Sequence, residues 1–336
     1  MADTPIITSP YPWHVAFYED LHRRHAAGRL PHALLLGGPA GTGKLRLATV
    51  FAHSLLCQSP ADGYPCGRCQ GCTLAAAGSH PDRFLLAPEE GSKSIKVGQV
   101  RDFVEFCART PQYGGYRVAL VAPADSMNRN AQNALLKTLE EPGAQTLLIL
   151  VSDQPSRLLP TVRSRCQAVS PGLPDAADSV PWLTELVGEE ALARALLAAA
   201  GQAPLRARDL EHSAWFAERD KLLRQCLNLV AGRQSASQVA RALLEHDSTE
   251  ILEVLTGWLA AAARQASGGA ASPDPRLAEG IAQLAQHCPA PRLLTVHAQC
   301  LEARRLLASG ANPNAELLLE QILLSLAGVD VAAAGF

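Results

Sequence analysis

Leu34-Leu35-Leu36-Gly37-Gly38-Pro39-Ala40-Gly41-Thr42-Gly43-Lys44-Leu45 decides how the first half of the chain is read. An apolar run ends in glycines and passes into a helical stretch reaching about Leu56, and from Gly38 onward the residues fit the phosphate-binding pattern G-x-x-x-x-G-K at a strand-to-helix junction. At such a junction the backbone N–H groups and the helix N-terminus cradle an anion; Gly38, Gly41 and Gly43 would let the backbone approach it, and Lys44 would reach its outer phosphates. The position after the lysine is ordinarily Ser or Thr, whose hydroxyl ligates Mg²⁺, but Leu45 cannot coordinate a metal. The cradle survives and the metal clamp does not. A glycine-rich turn without a ligand is the competing reading, and seven of eight motif positions in the required context weigh against it.

Working outward, short β-rich runs alternate with helical stretches from Arg29 to Val169. Phe84-Leu85-Leu86 predicts a second strand, and Val97, Val100, Val104 and Cys107 keep helical spacing. Tyr116 to Val121 predicts a third strand. A helix from about Ser126 to Glu140 follows, with Asp125 read as its N-cap and Pro142 closing it before the apolar strand Thr146 to Val151. Continuous apolar strands separated by helices imply a parallel sheet covered on both faces, whose ligands lie at the carboxyl ends of the strands. The end of the third strand should carry acidic residues that hold Mg²⁺ and orient water, but Ala122 and Pro123 stand there. Self-sufficient ATP hydrolysis is therefore not expected.

Beyond Ser170-Pro171-Gly172-Leu173-Pro174 the composition shifts to Leu, Ala, Glu, Arg and Gln, which predicts an all-helical remainder. Gly201 to Arg206 breaks that pattern again, and Ser267 to Pro275 reads as a loop within the last domain. The expected division is 1–169 for the α/β domain, 170–210 for a small helical unit and 211–336 for a C-terminal helical domain. No internal repeat or heptad pattern is evident.

The 336 residues are 48% hydrophobic and 18% charged, with 25 Gly and 23 Pro, so neither disorder nor a collagen-like chain fits. Lys and Arg number 30 against 32 Asp and Glu, a net charge of −2, so the chain as a whole cannot neutralise many phosphates and any nucleic-acid role is local or shared. The first ten residues lack a basic stretch followed by an apolar core of about 7–15 residues. No apolar run approaches the roughly 18 residues of a membrane span. A cytoplasmic protein is expected.

Nine cysteines include four crowded into Cys57-x₈-Cys66-x₂-Cys69-x₂-Cys72, unlike a secreted disulfide framework. Gly63, Pro65, Gly67 and Gly71 supply turns that let four thiolates converge, and closed four-cysteine sites are structural zinc sites. An iron–sulfur cluster is the main rival, but the C-x₂-C-x₂-C-x₃-C-P run is absent because the fourth cysteine lies upstream. Unligated thiols are the remaining alternative. Cys107, Cys226, Cys288 and Cys300 lie in apolar helical surroundings and read as small buried residues.

With these motifs in hand, Leu30 to Gly37, the four-cysteine insert, Asn133 to Pro142 and Ser164-Arg165-Cys166 resemble bacterial clamp-loader subunits of the AAA+ class, over about residues 5–210. The resemblance implies a RecA-like AAA+ domain with a zinc module at about 57–72, a helical lid and a C-terminal collar. It matches Ser164-Arg165-Cys166 to an arginine finger acting in trans on a neighbour's ATP, and Arg206 to a sensor-2 arginine. The sensor-1 position falls at Ser152 or Asp153, where an Asp would repel a γ-phosphate. For Arg206 a solvated helix-end arginine is the competing reading. The implied function is a non-hydrolysing stator of the DNA polymerase III loader, which places the sliding clamp on primed DNA. Implied partners are the gamma/tau ATPases, the delta subunit, the clamp and the DNA; the expected cofactor is structural Zn²⁺, and ATP binding is doubtful. An active P-loop ATPase of the same loader is the alternative, disfavoured by Leu45 and Ala122-Pro123. A zinc-dependent DNA-binding module is weaker still, since only Arg68 supplies a positive charge between the cysteines and no aromatic-basic stripe accompanies it.

Overall fold

A computed structural model describes residues 6–92, 94–272, 274–308 and 313–329. Part of the N-terminal stretch and Pro273 of the 267–275 loop lie outside them. The chain divides into two compact units, Met1–Trp182 and Leu183–Phe336.

Unit 1 is built on five strands, β1 (Ala33–Gly37), β2 (Arg83–Leu86), β3 (Arg117–Val121), β4 (Thr146–Ser152) and β5 (Gln167–Val169), all parallel in the order β2-β3-β4-β1-β5. Its helices are α1 (Val15–Ala26), α2 (Lys44–Leu56), α3 (Gln70–Ala76), α4 (Val97–Ala108), α5 (Arg129–Glu140) and the short α6 (Pro160–Arg163). The alternation of side chains along β1 explains why the strand reads as a continuous apolar run. Leu34 and Leu36 enter one core with Tyr18, Leu47 and Phe51 from α1 and α2. Ala33 and Leu35 enter the other, with Phe103, Leu135 and Leu139 from α4 and α5. Helices thus cover both faces.

Two details differ from the sequence expectations. Asp125 does not cap the helix after β3. It lies in a short 3₁₀ turn, Ala124–Ser126, and α5 begins one turn later with Asn128 as its N-cap, the Asn128 side chain accepting a hydrogen bond from Ala131 N–H. The strand β5 has no counterpart in the apolar pattern because Gln167 and Ala168 are exposed on the sheet edge.

Helix α7 (Ala176–Val187) contains the division between the units. Unit 2 continues through α8 (Glu190–Ala199), α9 (Pro204–Leu210), α10 (Ala214–Ala217), α11 (Arg219–Val230), α12 (Ala236–Leu243), α13 (Ser248–Ala266), α14 (Pro275–His287), α15 (Ala290–Ala308) and α16 (Ala315–Ala327). The 19-residue helix α13 packs along α15 and presents Ile251, Leu252, Leu255, Leu259 and Ala262 inward at helical spacing. Arg219 opens α11 and pairs with Asp274 at 2.6 Å while both are almost fully buried; Asp274 also caps α14 through Arg276 N–H. No strand occurs among the described residues of this unit, and Cys226, Cys288 and Cys300 are buried in it as the pattern implied. No described helix is long and apolar enough to cross a membrane.

Candidate functional site

In the sheet order β1 lies between β4 and β5, so the loop leaving β1 emerges at the carboxyl end of the sheet where the strand order switches direction, the usual seat of a ligand in such sheets. Register brings distant residues together there. Gly37 of β1 lies opposite Ser152 of β4, and Gly38 N–H donates to the Ser152 carbonyl at 3.3 Å. Gly43 precedes α2 with φ +88°, a left-handed conformation that favours glycine.

Lys44 opens α2 and folds back into its own loop, where its side chain is 3% exposed. Its Nζ donates to the Pro39 carbonyl at 2.6 Å and to Asp153 Oδ1 at 2.6 Å, with Thr42 Oγ1 at 3.5 Å. Asp153 directly follows β4. Its backbone N–H donates to Asp125 Oδ1 at 2.9 Å, and Ser152 Oγ donates to the same oxygen at 2.6 Å. Thus the carboxylate expected to cap a helix instead fixes the end of β4 beside the loop. Leu45 points to solvent, and Ala122-Pro123 follow β3 with no carboxylate of their own. The loop's far wall is aromatic: Trp13 Nε1 donates to the Thr42 carbonyl at 2.8 Å and its ring stacks on Tyr11. His14 beside it is buried without a hydrogen-bond partner on either ring nitrogen. Burial, reinforced by the Lys44 ammonium, pushes its pKa down to about 4, so it is neutral at pH 7.

The four-cysteine segment connects α2 to α3. The Sγ atoms of Cys57, Cys66, Cys69 and Cys72 all lie within 4.8 Å of one another, with Cys57–Cys69 at 3.8 Å and Cys66–Cys72 at 4.0 Å. Tetrahedral coordination with metal–sulfur bonds near 2.3 Å requires sulfur separations of about 3.8 Å, so the donor set fits a metal ion of that geometry. The backbone supports it. The N–H groups of Cys66, Cys69 and Cys72 donate in turn to the sulfurs of Cys57, Cys66 and Cys69 at 3.3, 3.4 and 3.4 Å, which favours thiolates. The Ser59 hydroxyl and the backbone N–H groups of Arg68 and Cys69 pull the Cys66 thiol down to about 5, while burial pushes the Cys57 and Cys72 thiols up. Gly71 is needed for close approach, because a Cβ there would lie 2.4 Å from the Leu56 carbonyl oxygen.

Arg165 lies after α6. Its Nε donates to Glu140 Oε1 at 2.7 Å, Nη2 pairs with the same carboxylate, and Nη1 donates to the Thr161 carbonyl at 2.9 Å. Arg206, in unit 2, pairs with Glu253, which Arg304 also contacts at 3.0 Å. Burial lowers the pKa of Arg206. Sequence reasoning named the loop glycines, Lys44, the four cysteines, Arg165 and Arg206. It missed the contact of Asp153 with Lys44, 109 residues away, and the buried His14; the only sequence signal for the former was an acid at the end of a strand next to a phosphate loop.

The family described as "DNA polymerase III, delta subunit" matches residues 13–171, and "DNA polymerase III, delta subunit, C terminal" matches residues 213–328. The chain is similar to DNA polymerase III subunit delta' of Pseudomonas aeruginosa, with 39% identity over 95% of this chain and 98% of that one. Against DNA polymerase III subunit delta' of Escherichia coli the identity is 34%, over 94% of each. DNA polymerase III subunit tau of Salmonella typhimurium is 34% identical over 41% of this chain and 21% of that protein. A degenerate phosphate loop on a parallel sheet, an inserted four-cysteine cluster and near full-length similarity agree: the chain belongs to the family of DNA polymerase III delta' subunits.

Proposed function

We propose that this chain is the non-hydrolysing stator of a DNA polymerase III clamp loader, an AAA+ subunit that helps place a sliding clamp on primed DNA and lends Arg165 to the ATP of a neighbour. The observation that carries the reading is the state of the phosphate loop. Lys44 is bound to Asp153 and Pro39, while Leu45 and Ala122-Pro123 provide no ligand for Mg²⁺. Phosphoryl transfer needs that metal and a positioned water, so the fold is retained without the turnover. A scaffold that contributes contacts and one arginine to an adjacent ATP site fits these losses; the motor ATPase reading does not.

In this reading residues 1–169 form the nucleotide-fold domain, 170–210 the lid and 211–336 the collar that joins partner subunits, the gamma/tau ATPases and delta. Cys57, Cys66, Cys69 and Cys72 would hold one Zn²⁺, whose role is to cross-link the 57–72 segment. Contact with clamp and DNA is made through the complex, in keeping with the net charge of −2. The test is co-expression with the gamma/tau and delta subunits followed by native mass measurement. The expected result is a hetero-oligomer containing this chain, and a chain that stays monomeric or self-associates in their presence overturns the proposal.

A further inference from the structure

A buried ammonium needs partners, and Lys44 finds them inside its own unit. Of its three N–H bonds, one is directed to the Pro39 carbonyl and one to the Asp153 carboxylate, both at 2.6 Å, leaving only the long contact to Thr42. In a ligand-filled phosphate loop those hydrogens face the outer phosphate oxygens. Asp153 is not brought there by Lys44 alone. The pairing of β4 with β1 sets Ser152 opposite Gly37, and Asp125 holds both the Ser152 hydroxyl and the Asp153 backbone N–H. The aspartate's backbone is therefore positioned by bonds independent of the lysine.

We infer that Asp153 is the resident anion of this loop: its carboxylate holds the Lys44 ammonium where a ligand phosphate would, making Asp153 the specificity-determining residue that turns polyphosphate away. An incoming triphosphate meets two obstacles with one origin. It must take Lys44 from a charge-assisted hydrogen bond, and the displaced carboxylate stays close by as a like charge. Asp153 is 42% exposed, so its side chain can be changed without opening a cavity in the core. The glycine cradle, by contrast, is intact. Affinity for polyphosphate is therefore suppressed by one residue and is recoverable. This inference concerns the separate chain and does not depend on the proposed assembly.

The test is calorimetric titration of the full chain with inorganic tripolyphosphate and with ATP, in buffer containing EDTA so that metal plays no part. Asp153→Asn keeps the shape of the side chain and an oxygen acceptor for Lys44 while removing the charge. It should bind tripolyphosphate at least tenfold more tightly than the unmodified chain, and Asp153→Ala should gain as much or more. Adding Lys44→Ala to Asp153→Ala should abolish the gain. If both single variants bind no more tightly than the unmodified chain, or if the gain survives without Lys44, Asp153 is not the anion that closes the loop.

Discussion

Asp82, in the turn just before β2, and Arg117, the first residue of β3, form an ion pair of 3.0 Å in which the side chains are 0% and 1% exposed. The carboxylate also accepts the N–H groups of Gln112 and Tyr113, while the guanidinium donates to the carbonyls of Phe106 and Thr110. The pair thereby pins the segment between α4 and β3 to the sheet. Removing one partner strands a buried charge, which costs about 3–5 kcal/mol. Asp82→Ala should lower the stability of unit 1 by that amount in urea unfolding. A loss below about 1 kcal/mol would mean the charge finds water or another partner.

Metal removal should act on the cysteine segment. Protein purified without chelator should carry one zinc per chain by elemental analysis, and Cys69→Ala should abolish it. In finger peptides structural zinc contributes about 10–16 kcal/mol of apparent binding free energy, so the 57–72 segment should become protease-sensitive in the variant while the sheet, with its own two cores, survives. Iron in place of zinc, or an intact segment in metal-free Cys69→Ala, would refute the assignment.

Stability should fall on mild acidification because of buried neutral histidines. His14 and His53 have no partners on their ring nitrogens, and burial pushes each pKa down to about 4, with Lys44 adding to the effect at His14 and Arg83 and His80 at His53. The unfolded value is about 6.5, so between pH 6.5 and 4 the unfolded chain binds more protons. Their contribution is fully present above pH 6.5 and is lost as pH falls toward 4, by up to about 3 kcal/mol per histidine. His53→Leu should flatten the pH dependence of the urea midpoint across this window relative to the unmodified chain; an identical slope in both would exclude His53 as a source.

Arg165→Ala should leave folding unchanged, since a partly exposed pair such as Arg165–Glu140 is worth about 0–1 kcal/mol. The assembled loader should show a several-fold lower ATPase rate when stimulated by clamp and primed DNA. Arg165→Lys should not restore it, because an ammonium lacks the planar fork that grips a phosphoryl group. An unmodified rate in a correctly assembled Arg165→Ala complex would leave Arg165 as the partner of Glu140 and nothing more.

The parts legible in the sequence were those whose chemistry depends on neighbours in the chain. Gly38 to Lys44 carry their spacing with them, and Cys66-x₂-Cys69-x₂-Cys72 converges through turns written between the cysteines. Apolar runs marked β1, β3 and β4 because both faces of the sheet are covered; Gln167-Ala168-Val169 gave no such mark because it is an exposed edge. Asp125 departs from its expected role for a physical reason: an aspartate before a helix is a good N-cap, and only the fold reveals that its acceptor is taken by Ser152 and Asp153 while Asn128 does the capping. Contacts such as Lys44 with Asp153 depend on strand register, which a single sequence does not display.

Strand order also sets a timetable for synthesis. The central strand β1 emerges early, yet Ala33 pairs with Leu148 and Leu34 with Gln167, so every strand neighbour of β1 is still unmade when it leaves the ribosome. A chain released only as far as Ser126 would contain β2 and β3 but leave Leu34, Leu35 and Leu36 without a ladder on either side. Loop closure over more than a hundred residues is slow compared with the pairing of adjacent helices. The phosphate loop, built at the tip of β1, is accordingly among the last features of its unit to take shape, and until then its apolar strand lies open to association with other chains.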